Sequence, residues 1–173
     1  MTGKTPDAQR ILGTLRSDNG VGVVRIEDRF DFDQEEVWAA LTTPKRLAQW
    51  YGDVEGELRV GGEVRLHVFT SGWRGTRQIT GCDPPRHLSF VSKQAGDSSE
   101  SAVEITLAAD GGRTVIVYEH RGVPLDLLFA YGAGEQIHVE DLGDHLAGRD
   151  RDASESRWDA LEPAYRELAS KIE

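Results

Sequence analysis

Val24 to Gly52 reads VRIEDRFDFDQEEVWAALTTPKRLAQWYG, and its hydrophobic period changes within those residues. Val24, Ile26, Phe30 and Phe32 fall on one face of an extended segment that runs from Val21 to Phe32. Asp33 followed by Glu36 is a capping-box variant, which opens a helix with Val37, Trp38 and Leu41 turned inward. Thr43-Pro44 starts a second short helix that ends at Gln49-Trp50-Tyr51-Gly52. One strand and two short helices thus head the main body of the chain.

Downstream the pattern turns to strands. The candidates are Val54 to Val60, Glu63 to Thr70, Trp73 to Cys82, His87 to Lys93, Ser101 to Ala108 and Thr114 to His120. Turn signals such as Gly61-Gly62, Asp83-Pro84-Pro85 and Asp110-Gly111-Gly112 separate them. Connections this short favour antiparallel meander pairing over parallel crossovers. Gly134 to Ala147 returns to a helical period, with Val139, Leu142 and Leu146 on one face. After a charged linker, Gly148 to Ser154, a last helical segment runs from Glu155 to Ile172, and Pro163 inside it predicts a kink or two shorter helices. At the other end, Thr5, Pro6, Ile11, Leu12 and Leu15 suit a short helix, followed by a turn at Ser17 to Gly20.

These readings divide the chain into an amino-terminal helical extension (1–20), a sheet-and-helix domain (21–148), and a carboxy-terminal linker and helix (149–173). The class is α+β. A curved antiparallel sheet of six to seven strands is expected to wrap on a carboxy-terminal helix, with two short helices after the first strand. A strongly bent sheet and one helix rarely fill the space between them, so a cavity is expected.

Composition narrows the function classes. The 173 residues are 38% hydrophobic and 29% charged, which describes one soluble domain able to bury a core without a staple. Cys82 is the single cysteine, so internal disulfides and multi-cysteine metal or redox motifs are excluded. Thirty acidic against twenty basic residues give a formal charge of −10, which argues against nucleic acid and membrane surfaces as partners. No apolar run approaches the ~20 residues of a membrane span, and the first residues lack the stretch of a signal peptide. The expected location is cytoplasmic.

The opening segment, with VGGEVRL (60–66), GCDPPRHLSF (81–90) and GGRTVIVYEHRG (111–122), resembles the START-like helix-grip superfamily. More narrowly it resembles the branch named after the activator of the heat-shock protein 90 ATPase. YGAGEQIHVEDLGDHLAGR (131–149) is similar to an actinobacterial-type member of that branch. The resemblance spans about Val21 to Arg149 and implies a helix-grip fold. It implies no single reaction, because the superfamily includes ligand carriers, aromatase- or cyclase-like enzymes and chaperone cofactors.

Strand alternation then nominates cavity-facing residues. With a four-residue loop at Ala109 to Gly112, Ile105 opposes Ile116, Val103 opposes Tyr118 and Ser101 opposes His120, all on the apolar side. A three-residue loop would turn Val115, Val117 and Glu119 inward instead. The family pattern favours the first register. Trp73, Arg77 and Ile79 share one face, as do Leu88 and Phe90, while Val64, Leu66 and Val68 look inward and leave His67 outside with His87. Trp38 and Trp158 read as core and helix-packing residues. Trp50 and Tyr51 stand near the expected cavity mouth, either lining it or simply packed, and Trp73 is a lid or a packed edge. An inward Arg77 needs an anion, either a protein carboxylate or a ligand acid. His120 is a satisfied strand-end residue or a ligand contact. Glu135 either complements its helix amino terminus or pairs with Arg77 or His120 inside the cavity.

Glu135, His138, Asp141 and His145 lie on one helical stripe, but positions seven apart are roughly 10 Å apart along the axis. No metal or other cofactor is therefore expected. No nucleophile elbow or phosphate loop occurs, so no catalytic residue is named and enzymatic activity stays open. The expected function is binding of a small apolar or aromatic ligand between sheet and helix. Trp50, Tyr51, Trp73, Arg77, Phe90, Tyr118, His120 and Glu135 are the ligand-binding candidates, and any chemistry would be acid–base. The alternative is a protein-interaction module, chaperone-cofactor-like or stress-related, with a protein partner or a second copy of the chain and no small-molecule ligand.

Overall fold

The structure, a computed structural model, describes residues 10–94, 100–149 and 154–172. In chain order the strands β1 (Gly13–Asp18) and β2 (Val21–Phe30) precede the helices α1 (Gln34–Thr42) and α2 (Pro44–Trp50). Then come β3 (Gly52–Gly56), β4 (Glu63–Val68), β5 (Arg74–Asp83), β6 (His87–Gln94), β7 (Glu100–Asp110) and β8 (Arg113–Val123). The helices α3 (Leu128–Leu146) and α4 (Ser154–Ser170) close the chain. All strands pair antiparallel in one curved sheet of order β1-β2-β8-β7-β6-β5-β4-β3. The α+β helix-grip architecture is present, with eight strands in place of six or seven.

The additional strand is β1, where a helix was expected. Ile11, Leu12 and Leu15 mimic a helical stripe, but Asn19-Gly20 supplies a two-residue hairpin turn, with φ of 53° and 85°. That dipeptide matches the twist of paired strands, so Gly13–Asp18 folds back on β2 with Leu15 opposite Val24. The hairpin wins because β2 offers a ready edge. The expected cap at Thr5 and Pro6 lies outside the described residues.

Between β7 and β8 the connection is also shorter than expected. Gly111 and Gly112, at φ 55° and 88°, form the whole turn, so Asp110 pairs with Arg113. Ile105 therefore opposes Tyr118 and Val103 opposes His120. The partners are displaced by two residues, an even shift, so the inward face is preserved. Ile105, Tyr118, Val103 and His120 are all buried.

Asp33 caps α1 by accepting the Glu36 amide at 2.8 Å, and Pro44 opens α2, where a missing amide breaks no bond. The Trp50 indole donates to the Ala40 carbonyl at 3.0 Å and ties the two helices together. α3 crosses the concave sheet face, burying Ile137, Val139 and Leu142. It begins earlier than its periodicity suggests. Gly132 and Gly134 weaken helix propensity, but a side chain at Gly132 would collide with the Tyr165 ring, so tertiary packing overrides propensity.

α4 packs on α3 and runs through Pro163 as one helix, so of the two outcomes expected there, a kink or two shorter helices, the division is not seen. Pro163 is exposed, so water can satisfy the carbonyl it leaves unpaired, while Leu161 and Tyr165 beside it are fully buried. No helix among the described residues is long and apolar enough to cross a membrane.

Candidate functional site

Two spaces meet between the sheet and α3. The inner one is a cavity of about 70 Å³ walled by apolar side chains including Leu47, Leu66, Ile79, Leu88 and Ile105. The outer one is a cleft of about 600 Å³, reached by Trp73, Tyr131, His120 and Trp158. Tyr51, Arg77, Glu135 and His138 contribute to the walls of both. They form a polar partition with an apolar room behind it and an open cleft in front.

Each member of the partition comes from a different route. Tyr51 ends α2 and Arg77 projects from β5, and the Arg77 Nη2 donates to the Tyr51 hydroxyl at 2.6 Å. The guanidinium carbon lies 4.4 Å from the Phe90 ring centre and 5.4 Å from those of Tyr51 and Trp73. Such aromatic faces hold a cation without neutralising it. Among the described residues Arg77 has no ion pair, and its Nε is buried without a hydrogen-bond partner. Across the cleft, His120 on β8 bonds through Nδ1 to Glu135 Oε1 of α3 at 2.8 Å. Tyr131 meets the His120 ring edge-on at 5.3 Å, and His138 meets Tyr51 in the same way at 5.0 Å.

The electrostatics follow from these contacts. Burial alone would raise the Glu135 carboxyl, but the hydrogen bond and charge of His120 outweigh it, and His138 and the Tyr118 hydroxyl add to the effect. Glu135 is held below the usual carboxylate value and is ionised near neutral pH. Burial, with the Glu135 charge, pushes the Tyr118 hydroxyl well above its ordinary range. Tyr51 moves up by burial too, although Arg77 opposes the shift. Burial works against the charge on Arg77, yet Tyr51, Tyr118 and Glu135 together favour it. The site therefore sets the Arg77 cation and the Glu135 anion on its two sides, with neutral phenols between them.

The candidate residues named from sequence are thus drawn together. Tyr51, Arg77 and Glu135 border both spaces, Trp50, Phe90 and Tyr118 wall the inner one, and Trp73 and His120 the outer. Glu135 pairs with His120, one of the two readings weighed for it. Of the two partners weighed for Arg77, a protein carboxylate does not pair with it among the described residues. His138, Tyr131 and Trp158 were not named as lining residues. His138 follows Glu135 by one helical turn, a signal obscured by reading the stripe for metal ligands. Trp158 was expected to pack, but it is exposed at the cleft rim. The stripe itself diverges. Asp141 pairs with Arg157 of α4, and His145 accepts from Arg46 at 3.1 Å. No three such side chains cluster as metal ligands among the described residues.

A sequence model described as Activator of Hsp90 ATPase homolog 1-like protein matches residues 31–146. The chain belongs to that family. Its fold is similar to the crystal structure of CalU16 from Micromonospora echinospora, with a TM-score of 0.74 and 25% identity over 92% of this chain and 96% of that one. DynU16, a protein of the dynemicin biosynthetic locus, gives a TM-score of 0.69 and 25% identity, covering 76% of this chain and 50% of DynU16. The Aha1 dimer from Colwellia psychrerythraea shares the fold at a TM-score of 0.64 and 18% identity, covering 72% of this chain and 95% of that one. No curated protein matches the sequence.

Proposed function

We propose that this member of the family binds a small aromatic molecule between the sheet and α3, with an apolar body and one anionic or strongly accepting end. The observation that carries this reading is Arg77, a guanidinium boxed by three aromatic rings, facing a cleft of about 600 Å³ without a carboxylate partner among the described residues. A half-buried cation held by rings and a phenol is an incomplete ion pair, and a ligand oxygen completes it. The inner cavity of about 70 Å³ is too small for a whole ligand but takes the edge of a ring once Tyr51 or Phe90 turns. Similarity to DynU16 sets the same fold beside a biosynthetic locus, which supports small-molecule binding over a purely structural role.

The interaction-module reading has less behind it. The exposed large apolar residues Val21, Val60, Leu125, Leu127 and Trp158 are spread over β2, the β3–β4 connection, the turn before α3, and α4. Native mass spectrometry of freshly purified protein, followed by thermal-shift screening of aromatic acids against their neutral isosteres, tests the ligand reading. Co-purified mass or selective stabilisation by the acids is expected. Arg77→Ala should weaken acids by about tenfold more than neutral analogues, the worth of one charge-assisted contact. Equal loss for both would make Arg77 structural, and no bound mass with no stabilisation would remove the reading.

A further inference from the structure

The Arg77 side of the cleft explains binding; the opposite wall holds an arrangement that binding alone does not require. The His120 side chain is 7% exposed and Glu135 is 11% exposed, and they face each other at 2.8 Å. An ionised carboxylate only accepts, so His120 Nδ1 must carry the hydrogen of this bond. When the ring is neutral, Nε2 carries a free lone pair. That atom is buried, lacks a hydrogen-bond partner among the described residues, and belongs to a residue that lines the outer cleft. The neutral histidine side chain in water favours the Nε2–H tautomer, so the carboxylate fixes the ring in its less common form. Tyr131 against one edge fixes its orientation.

We propose that His120, positioned by Glu135, is a general base that removes a proton from an aromatic ketone held in the cleft. The inference rests on the ligand reading above and adds a reaction to it. The carbon–hydrogen bond next to the carbonyl breaks and the proton goes to His120 Nε2. The released pair forms the carbon–carbon double bond, and the carbonyl π pair moves onto oxygen as an enolate. The Arg77 guanidinium and the Tyr51 hydroxyl across the partition take up that negative charge, while Glu135 balances the imidazolium. Nε2–H then trades its proton with water before returning one to the same carbon, which gives exchange, or delivers it to another carbon, which gives isomerisation, and neither needs a co-reactant beyond solvent. The apolar inner cavity suits a ring, and the cation suits the oxygen, which selects ketones attached to aromatic systems over simple aliphatic ones.

The test uses 2-tetralone in D2O, with deuterium incorporation at its benzylic α-carbon followed by proton NMR and expressed as kcat/KM. The wild-type protein should exceed an equal concentration of free imidazole by about 100-fold or more, and His120→Asn should lose about 10²–10⁴-fold, the usual worth of a general base. Glu135→Gln should reduce the rate and shift the His120 tautomer balance in 15N spectra, a signature that a merely structural Glu135 would not produce. Saturation-transfer NMR on the same samples reports binding separately. Ketone that binds but exchanges no faster than with imidazole overturns the base and leaves the ligand reading intact. Neither binding nor exchange overturns both. Where His120→Asn does not fold, wild-type 15N spectra decide, and a dominant Nε2–H tautomer overturns the proposal.

Discussion

Glu135 and Gln136 are neighbours on α3, about 100° apart around its axis, yet they meet opposite kinds of polar surroundings. On the back, Gln136 accepts from the Leu12 amide at 2.9 Å and the Tyr165 hydroxyl at 2.6 Å, and donates to the Arg10 carbonyl at 2.6 Å. Donors and acceptors balance, and the cluster binds β1, α3 and α4 to one another. On the front, Glu135 and His120 bond to each other, but among the described residues Arg77 Nε and His120 Nε2 stay unpaired in buried positions. Buried polar groups without partners are rare because each costs on the order of 1–3 kcal/mol. The Gln136 cluster satisfies its own donors and acceptors and holds the fold, whereas the Arg77 and His120 valences left open among the described residues belong to side chains that line the cleft.

That contrast can be broken by substitution. The largest effect is expected at the closed side. Gln136→Leu strands the Leu12 amide and the Tyr165 hydroxyl together, so urea denaturation should show a loss of about 3 kcal/mol. A loss below about 1 kcal/mol would mean that the cluster is not what fastens α4. An intermediate effect is expected from acid. The Glu135 carboxyl is held below its unfolded value, so its stabilising contribution is complete above about pH 4.5 and is lost as pH falls through the lowered folded value. The stability gap between wild type and Glu135→Gln should therefore narrow on acidification, whereas the gap for Gln136→Leu should stay flat above that value. The smallest effect is expected at Arg77. Replacing it with Met removes a half-buried cation that has no ion pair among the described residues and fills similar space, so stability should stay within about 0.5 kcal/mol of wild type while acid selectivity disappears. A large loss would place Arg77 with Gln136 as a structural residue.

Much of this was legible from local chemistry. Asp33 and Glu36 announce α1, Pro44 announces α2, and the alternation in β4 and β6 puts Leu66 and Phe90 inward, as observed. Two of the misses trace to short turns. Asn19-Gly20 turned a supposed helix into β1, and Gly111-Gly112 moved the β7–β8 partners by two while sparing the face. The site was legible as a set of residues but not as pairs. Tyr51 and Arg77 are brought together by the packing of α2 against the sheet, and no periodicity links residues on separate elements. His120 with Glu135 could be posed as a pair only because both a strand face and a helix face had been assigned.

Trp158 and Tyr165 lie on one helix, the first at the rim of the cleft and the second fastened beneath α3. Thermodynamic reciprocity then joins two distant events. Any molecule that rests against Trp158 stabilises the seating of α4 by the same factor by which an unseated α4 weakens that molecule's hold. Hydrogen exchange at the α4 amides would thus register occupancy of the cleft, out to the turn of α4 that carries Tyr165.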